Sequence, residues 1–511
     1  MTKVSKRSPR GSWARNQMGD PDFMKTMCRH FFTMLALIGF AIFSAQFPNA
    51  FAQGSLTPPG APAPTMKTLD QIEPRTPISA LPYNITAAGS YYLTTNLTGI
   101  SGANGITIMA NYVTIDLHGF TLSGVTNALD GIYVPGTTPY LNLMVQNGTV
   151  SGWGGNGVNA DNTSGARFSQ LNVSDNVMDG LHPGADAIVS HCSANDNQET
   201  GFGGGDSQCT FESCMAAGNG AWGFSTFSGC LMVNCDANNN WFDGFFLDVQ
   251  CTIKNCTAVY NGGDGFDVPF PNCLMVGCVA GNNNYGIQLG DHCTVQDCNA
   301  SYNGADGINT GSGSTIEASV AGYNQGQGIN AGTNCTIIGC ASSGNTGTSS
   351  VGILAGDGCT IKDCVAGANL GNGITAGSGC SVQACTVETN GAVGIFVGGY
   401  SSVKDCTACK NVNNGIQTTN GCRIENNTCS LNGSANPTDG GILCDGGENR
   451  VDGNHLTDNN GNGLCLAATN NIVVRNSAKG NLTTNYSVGS GNDVGPIGSA
   501  AASTSPWANL Q

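Results

Sequence analysis

Charge is scarce in this chain: only 10% of its 511 residues are Asp, Glu, Lys or Arg, and aromatic residues make up 7%. Basic groups are scarcer still, 18 Lys and Arg against 34 Asp and Glu, and no arginine occurs between Arg167 and Arg423. An acidic surface of this kind repels nucleic acid and polyanions, keeps an exported protein soluble, and favours cations or neutral partners. Helical repeats are excluded because no 3.6-residue apolar period runs through the body. The L-x-x-L-x-L face of leucine-rich repeats and the GGxGxD nonapeptide of calcium-binding rolls are absent too. Clusters of His and Met, which metal handling in a periplasm would use, are lacking.

The amino-terminal part reads as a leader. Phe31 to Phe43 is an apolar run behind Lys25 and Arg29 and ahead of Ala50-Phe51-Ala52, which predicts a signal peptide over 1–52 cleaved after Ala52, with Met24 an alternative start. A membrane anchor is the competing reading, but the run is shorter than the roughly 20 residues of a span. Cleavage removes seven Lys/Arg and two Asp/Glu, leaving 11 against 32 and a net charge of −21. Residues 53–67 form a Pro-rich linker. The predicted destination is outside the cytoplasm: extracellular, cell surface or periplasm, with no membrane span after cleavage.

What the chain has in abundance is glycine, 75 residues, together with asparagine, and both recur with a period. Glycine followed by an apolar residue recurs in register at fourteen positions from Gly180 to Gly463, mostly 21 residues apart. The segments 106–124 and 141–152 look like earlier, less regular coils. Within each unit follow Cys-[Thr/Ser]-[Ile/Val]-x-x-Cys and an asparagine five positions later, as in Gly244-Phe245 … Cys251-Thr252-Ile253-Lys254-Asn255-Cys256 … Asn261. Short alternating strands between turn residues, repeated at this period, predict an all-β parallel solenoid. Its apolar columns include Phe245, Phe266, Ile287, Ile308 and Ile329. Stacked asparagines hydrogen-bond up a column and tolerate a left-handed turn, so Asn197 through Asn432 have a structural cause.

This Gly-[Ile/Phe] … Thr-[Ile/Val]-x-x-[Cys/Asn]-x-[Ala/Val]-x-x-Asn unit resembles the pectate-lyase-like right-handed parallel β-helix superfamily over roughly residues 83–485. The resemblance implies a right-handed parallel β-helix, here of about fifteen coils of roughly 21 residues over 68–485, with an N-terminal cap inside that range and a capping tail at 486–511. That superfamily spans lyases, glycoside hydrolases, epimerases and adhesins, so the fold does not name an activity.

Cysteines spaced by five, such as Cys251/Cys256 and Cys273/Cys278, form two ladders. Buried thiols acting as small apolar fillers are favoured over disulfides, because a pair within one extended segment is too far apart and parallel side chains are poorly angled. The joint replacement by Ser314 and Ser319 argues the other way. A zinc or copper site is disfavoured, since C-x-x-C occurs only at Cys406/Cys409.

Side chains two positions after each repeat glycine should point outward. Read up the stack they include His182, Ser225, Phe246, Asp267, Gln288, Asn309 and Asn330, an aromatic beside amides and a carboxylate, as in sugar-binding faces. The residue before the glycine is Asp179, Asp243, Asp264 and Asp306 in four coils, serving as turn chemistry, as paired carboxylates, or as a shared calcium site. Asn261 to Asp267 is similar to the Asn-x-Asp-Gly stretch of polygalacturonase-type hydrolases, but the paired Asp-Asp, Gly-His-Gly and Arg-x-Lys elements of that family are missing. Uronate-lyase chemistry, which employs Arg or Lys, is supported less. Two functions follow. One is a glycan-binding or envelope/adhesion scaffold, with Phe246, Gln288, Asn309 and Asn330 as binding residues. The other is a carbohydrate-active enzyme on a neutral or weakly charged polysaccharide, using Asp243, Asp264, Asp267 and Asp306. No cofactor is expected, with calcium the one alternative, and no nucleic acid; the oligomeric state is open.

Overall fold

The computed structural model describes residues 73–204, 207–434 and 438–511. The predicted leader, the linker and the first residues of the expected N-terminal cap lie outside these. Every pairing between strands is parallel, and successive coils add one rung each, as the repeat demands. A typical coil has three short strands: Phe245–Leu247, Thr252–Lys254 and Thr257–Val259. Phe245–Leu247 and its equivalents form what we call the front sheet. That sheet has a 6-stranded and a 13-stranded part, joined where Phe202 bridges Leu181 and Phe224.

The chain makes about 19 turns, more than the fifteen expected. Rungs outside the regular glycine series lie at the ends: Tyr83–Ile85, Ile106–Ile108, Ile132–Tyr133 and Val158–Ser164 precede it, and Thr484–Val488 follows it. Gly105, Gly131 and Gly157 are the early members of the glycine column, but longer loops separate them and hide the 21-residue period. At about 4.8 Å per rung the solenoid is roughly 90 Å long. Among the described residues no helix is long and apolar enough to cross a membrane.

Front-sheet strands bury their first and third residues and present the second outward. Inside, Phe202, Phe224, Phe245 and Phe266 stack with ring centroids 4.7–4.9 Å apart, and Ile287, Ile308 and Ile329 continue the column. The spacing equals the rung repeat, so offset stacking follows from the backbone pairing at no extra cost.

The bends are built on one plan. At the corner before the front sheet, Asn240 N donates to Asn261 Oδ1 at 3.1 Å, Asn240 Nδ2 donates to the same oxygen at 2.9 Å, and Asn261 Nδ2 donates to Ala237 O at 3.0 Å. The ladder runs from Asn176 to Asn481. The left-handed residue is not the ladder asparagine, as the sequence suggested, but the one before it: Asn239, Tyr260 and Asn282 have φ of 55°, 59° and 57°. This leaves the asparagine itself free to turn inward. Beside it the repeat glycine has no room for a side chain: a Cβ on Gly244 would lie 2.7 Å from Gly265 O and 2.8 Å from Asn261 Nδ2.

The cysteine corners follow the same plan. Cys335 N donates to Cys359 Sγ at 3.3 Å, and Cys359 Sγ donates back to Gly332 O at 3.2 Å. Serine and asparagine enter the same ladders: Cys293 N donates to Ser314 Oγ, Cys298 N to Ser319 Oγ, and Cys406 N to Asn427 Oδ1. Ser314 and Ser319 are therefore substitutes for a hydrogen-bonding thiol and not the trace of a lost disulfide. The 23 described cysteines are thiols, and among them Cys409 alone is not buried.

Two outcomes test this construction. Asn324→Ala strips Asn303 N of its acceptor and Ala300 O of its donor, which should cost roughly 1–3 kcal/mol, read as a lower denaturant midpoint. Native alkylation followed by mass spectrometry should label Cys409 first and the ladder cysteines only after denaturation; rapid labelling of Cys251 or Cys256 in native protein would contradict the ladder.

Candidate functional site

The outward row of the front sheet is in register from rung to rung: Ser225 pairs with Phe246, Phe246 with Asp267, Asp267 with Gln288, Gln288 with Asn309, and Asn309 with Asn330. Asp243, Asp264 and Asp306 lie in the bend entering that sheet, three residues before the outward position of the same coil.

Each of these aspartates does turn work with one oxygen. Asp243 Oδ1 accepts from Asp264 N at 2.6 Å, Asp264 Oδ1 from Tyr285 N at 3.0 Å and Asn284 Nδ2 at 3.1 Å, and Asp306 Oδ1 from Gln327 N at 2.6 Å. Asp179 and Asp130 do the same for Thr200 N and Asn156 N. The second oxygen is left for other partners. Asp243 Oδ2 accepts from the Trp222 indole at 3.1 Å, and Asp306 Oδ2 from Asn330 Nδ2 at 3.0 Å.

Asp243, Asp264 and Asp267 are thus gathered on adjacent rungs beside Phe246 and Gln288. Asp306 is two coils beyond Asp264 and forms a separate pair with Asn330, while Asn309 sits in the row between Gln288 and Asn330. Gln288 Nε2 reaches Asp267 Oδ1 at 3.5 Å. Asp264 is 8% exposed, and burial raises its carboxyl above the usual range, with Asp243 adding to the shift. Burial, then the charges of Asp243 and Asp264, pushes Asp267 up to about 6. No group of three or more His, Cys, Asp or Glu among the described residues is spaced to hold a metal ion. The calcium site considered for Asp243 and Asp264 comprises two carboxylates on adjacent coils, one oxygen of each accepting from backbone.

Sequence reasoning missed the aromatic partners. Trp222 occupies the column that holds aspartate in the next two coils, and its ring lies 5.4 Å from Phe242 and 5.8 Å from Phe246. Reading that column through every coil, and not for aspartate alone, would have found it. A second cluster lies towards the N-terminus. His182 Nδ1 contacts Asp161 Oδ1, and His182 Nε2 is 3.7 Å from Asp179 Oδ2. A Cβ on Gly204 would meet the His182 ring at 2.2 Å, so the glycine lets the backbone close on it. Asp161 was hidden because Val158–Ser164 is longer than the regular strands and has no repeated position for it.

Several solved structures are similar to this chain. The A-module of the Azotobacter vinelandii mannuronan C-5 epimerase AlgE4 is 14% identical, with 67% of this chain and 84% of that chain covered and a TM-score of 0.26. Pectate lyase Pel9A is 16% identical (50% and 67% covered, TM-score 0.22), and bacteriophage CBA120 tailspike protein 3 is 12% identical (86% and 60%, TM-score 0.23). At such values these likenesses carry nothing about activity. No match is found among curated proteins. The family described as "Right handed beta helix region" matches residues 130–295, 223–347 and 329–479. With most of the chain covered by those matches and a continuous stack of parallel rungs beneath them, the protein belongs to the right-handed β-helix family.

Proposed function

We propose that the protein is an exported glycan-binding scaffold that holds a neutral polysaccharide along the outward face of the front sheet. The observation that carries this reading is the aromatic group Trp222, Phe242 and Phe246 joined to the carboxylates, Trp222 by a hydrogen bond to Asp243 and Phe246 by pairing with Asp267. Aromatic rings cover the apolar face of a sugar while carboxylates and amides accept and donate to its hydroxyls. The rung spacing of about 4.8 Å is close to the length of one sugar unit in an extended glycan, so successive rungs can meet successive units. Scarce basic groups favour a neutral chain over a polyuronate. Export rests on the leader over 1–52.

One observation favours a second reading, hydrolysis of the bound glycan. Asp267, with its pKa raised to about 6, holds a proton into the range where a general acid is useful, and carboxylates stand on the adjacent rungs. A glycan array and a polysaccharide-degradation screen separate the two. Retention without product release is expected, weakened about tenfold or more by Phe246→Ala or Trp222→Ala. Product release that disappears in Asp267→Ala would replace the scaffold with an enzyme.

The raised Asp267 pKa has a stability consequence. A carboxyl whose folded pKa exceeds its unfolded value, ordinarily 3.8, binds its proton more tightly in the folded state. Its contribution to stability is therefore full below pH 4 and is lost as pH rises through about 6. Asp267→Asn should melt higher than the parent at pH 7, with the gain shrinking to nothing near pH 4; a lower melting temperature at pH 7 would remove burial as the cause.

A further inference from the structure

The corner preceding the front sheet carries aromatic surface that the core does not use. Trp241 is 73% exposed and Tyr260 62%, on adjacent coils. Between them lies a groove of about 550 Å³ lined by Gly218, Gly220, Asn239, Trp241, Tyr260 and Gly262, with Asn219 and Asn240 of the ladder at its base. The backbone is held firmly there: Trp241 N donates to Asn219 O at 3.0 Å and Phe242 N to Ala221 O at 3.0 Å. Gly220 and Gly262 pack where a Cβ would lie 2.2 Å from Gln198 O and Trp241 O respectively. These glycines let successive coils approach closely beneath the two rings.

The chemistry of the groove narrows its occupant. It has no Lys, Arg, Asp or Glu in its lining. The amides of Asn219 and Asn240 are spent within the ladder and on Ala194 O and Ala216 O. What remains for a ligand is two aromatic rings, the indole N–H, the phenol and the exposed amide of Asn239. That combination suits an uncharged ring with one apolar face and hydroxyls at its rim, and it offers no opposite charge to an anion or a cation. The groove also continues the front-face group. Trp241 is followed by Phe242, which packs on Trp222, which packs on Phe246.

We propose that this groove is a second glycan subsite, seating one neutral pyranose against the Trp241 ring, so that a branch or the continuing chain of the glycan bound on the front sheet turns the corner. The proposal rests on the front-face reading for its ligand class, but its residues are separate. Affinity electrophoresis of the full chain in gels containing dextran, laminarin or glucomannan tests both, with Trp241→Ala, Tyr260→Ala, Phe246→Ala and Trp222→Ala compared. Their exposed side chains make Trp241 and Tyr260 safe to truncate without unfolding, which circular dichroism checks.

Retardation in at least one gel, weakened about tenfold by Trp241→Ala and more mildly by Tyr260→Ala, is the expected result. Retardation untouched by Trp241→Ala but lost in Phe246→Ala would overturn the corner subsite and leave the front face standing. Loss in Trp241→Ala with none in Phe246→Ala or Trp222→Ala would keep the corner and overturn the front face. No retardation of the parent in any gel would overturn both. Sedimentation in parallel covers the rival occupant: if Trp241→Ala abolishes self-association and leaves retardation unchanged, the groove belongs to a second copy of the chain and the proposal falls.

Discussion

The hydrogen bond from a backbone N–H at each bend to the side chain one coil further on is the interaction the rest of the structure depends on. Strand pairing alone stacks three-residue segments, and such short strands leave the bends between them buried and rich in unpaired backbone groups. A buried N–H without a partner costs a large part of the energy that folding gains there. Asparagine answers this with one oxygen that takes two donors and an N–H₂ that returns a bond to a carbonyl of the preceding coil. A thiol or a serine hydroxyl answers it more modestly, and the ladders show all three in the same columns, Cys406 giving way to Asn427 and Cys422 to Asn449.

That requirement is what made the fold legible. A residue that must perform the same bond on every rung recurs as the same letter, so Asn261 and its equivalents, and the glycine crowded against them, could be followed through the central coils without coordinates. Where loops lengthen, between Gly105, Gly131 and Gly157, the letters persist but the interval does not, and the early coils were recognised as irregular but undercounted. The left-handed turn residue was misplaced by one position because it carries no fixed identity: tyrosine, asparagine, aspartate and glycine all occupy it.

The candidate site was less legible for the opposite reason. A binding surface is made by differences between rungs. Asp243, Asp264, Asp267 and Phe246 could be aligned because they share columns with their neighbours. Trp222 breaks its column, and its contacts with Phe242 and Phe246 join three positions that no single column connects. The core beneath reinforces the same region, since Phe224, Phe245 and Phe266 stack under the outward residues Ser225, Phe246 and Asp267. A rigid floor keeps those outward side chains at fixed separation, which favours recognition of a repeating ligand.

The backbone-to-side-chain bonds of the ladders all run from the amide of one coil to the side chain of the next, while the side-chain N–H₂ and S–H groups return bonds to the preceding coil. The two ends of the rod are unlike, and each would present unpaired donors and acceptors of its bends and strand edges. Such a rod, left bare, has a built-in tendency to join end to end without closing on itself. Asn481, Asn492 and Asn509 terminate the three ladders, and Asn509 is brought back by the carboxy-terminal segment to accept from Asn476 N at 3.0 Å. That returning segment pairs Leu510 with Ser477 and so covers part of the strand edge at this end of the stack.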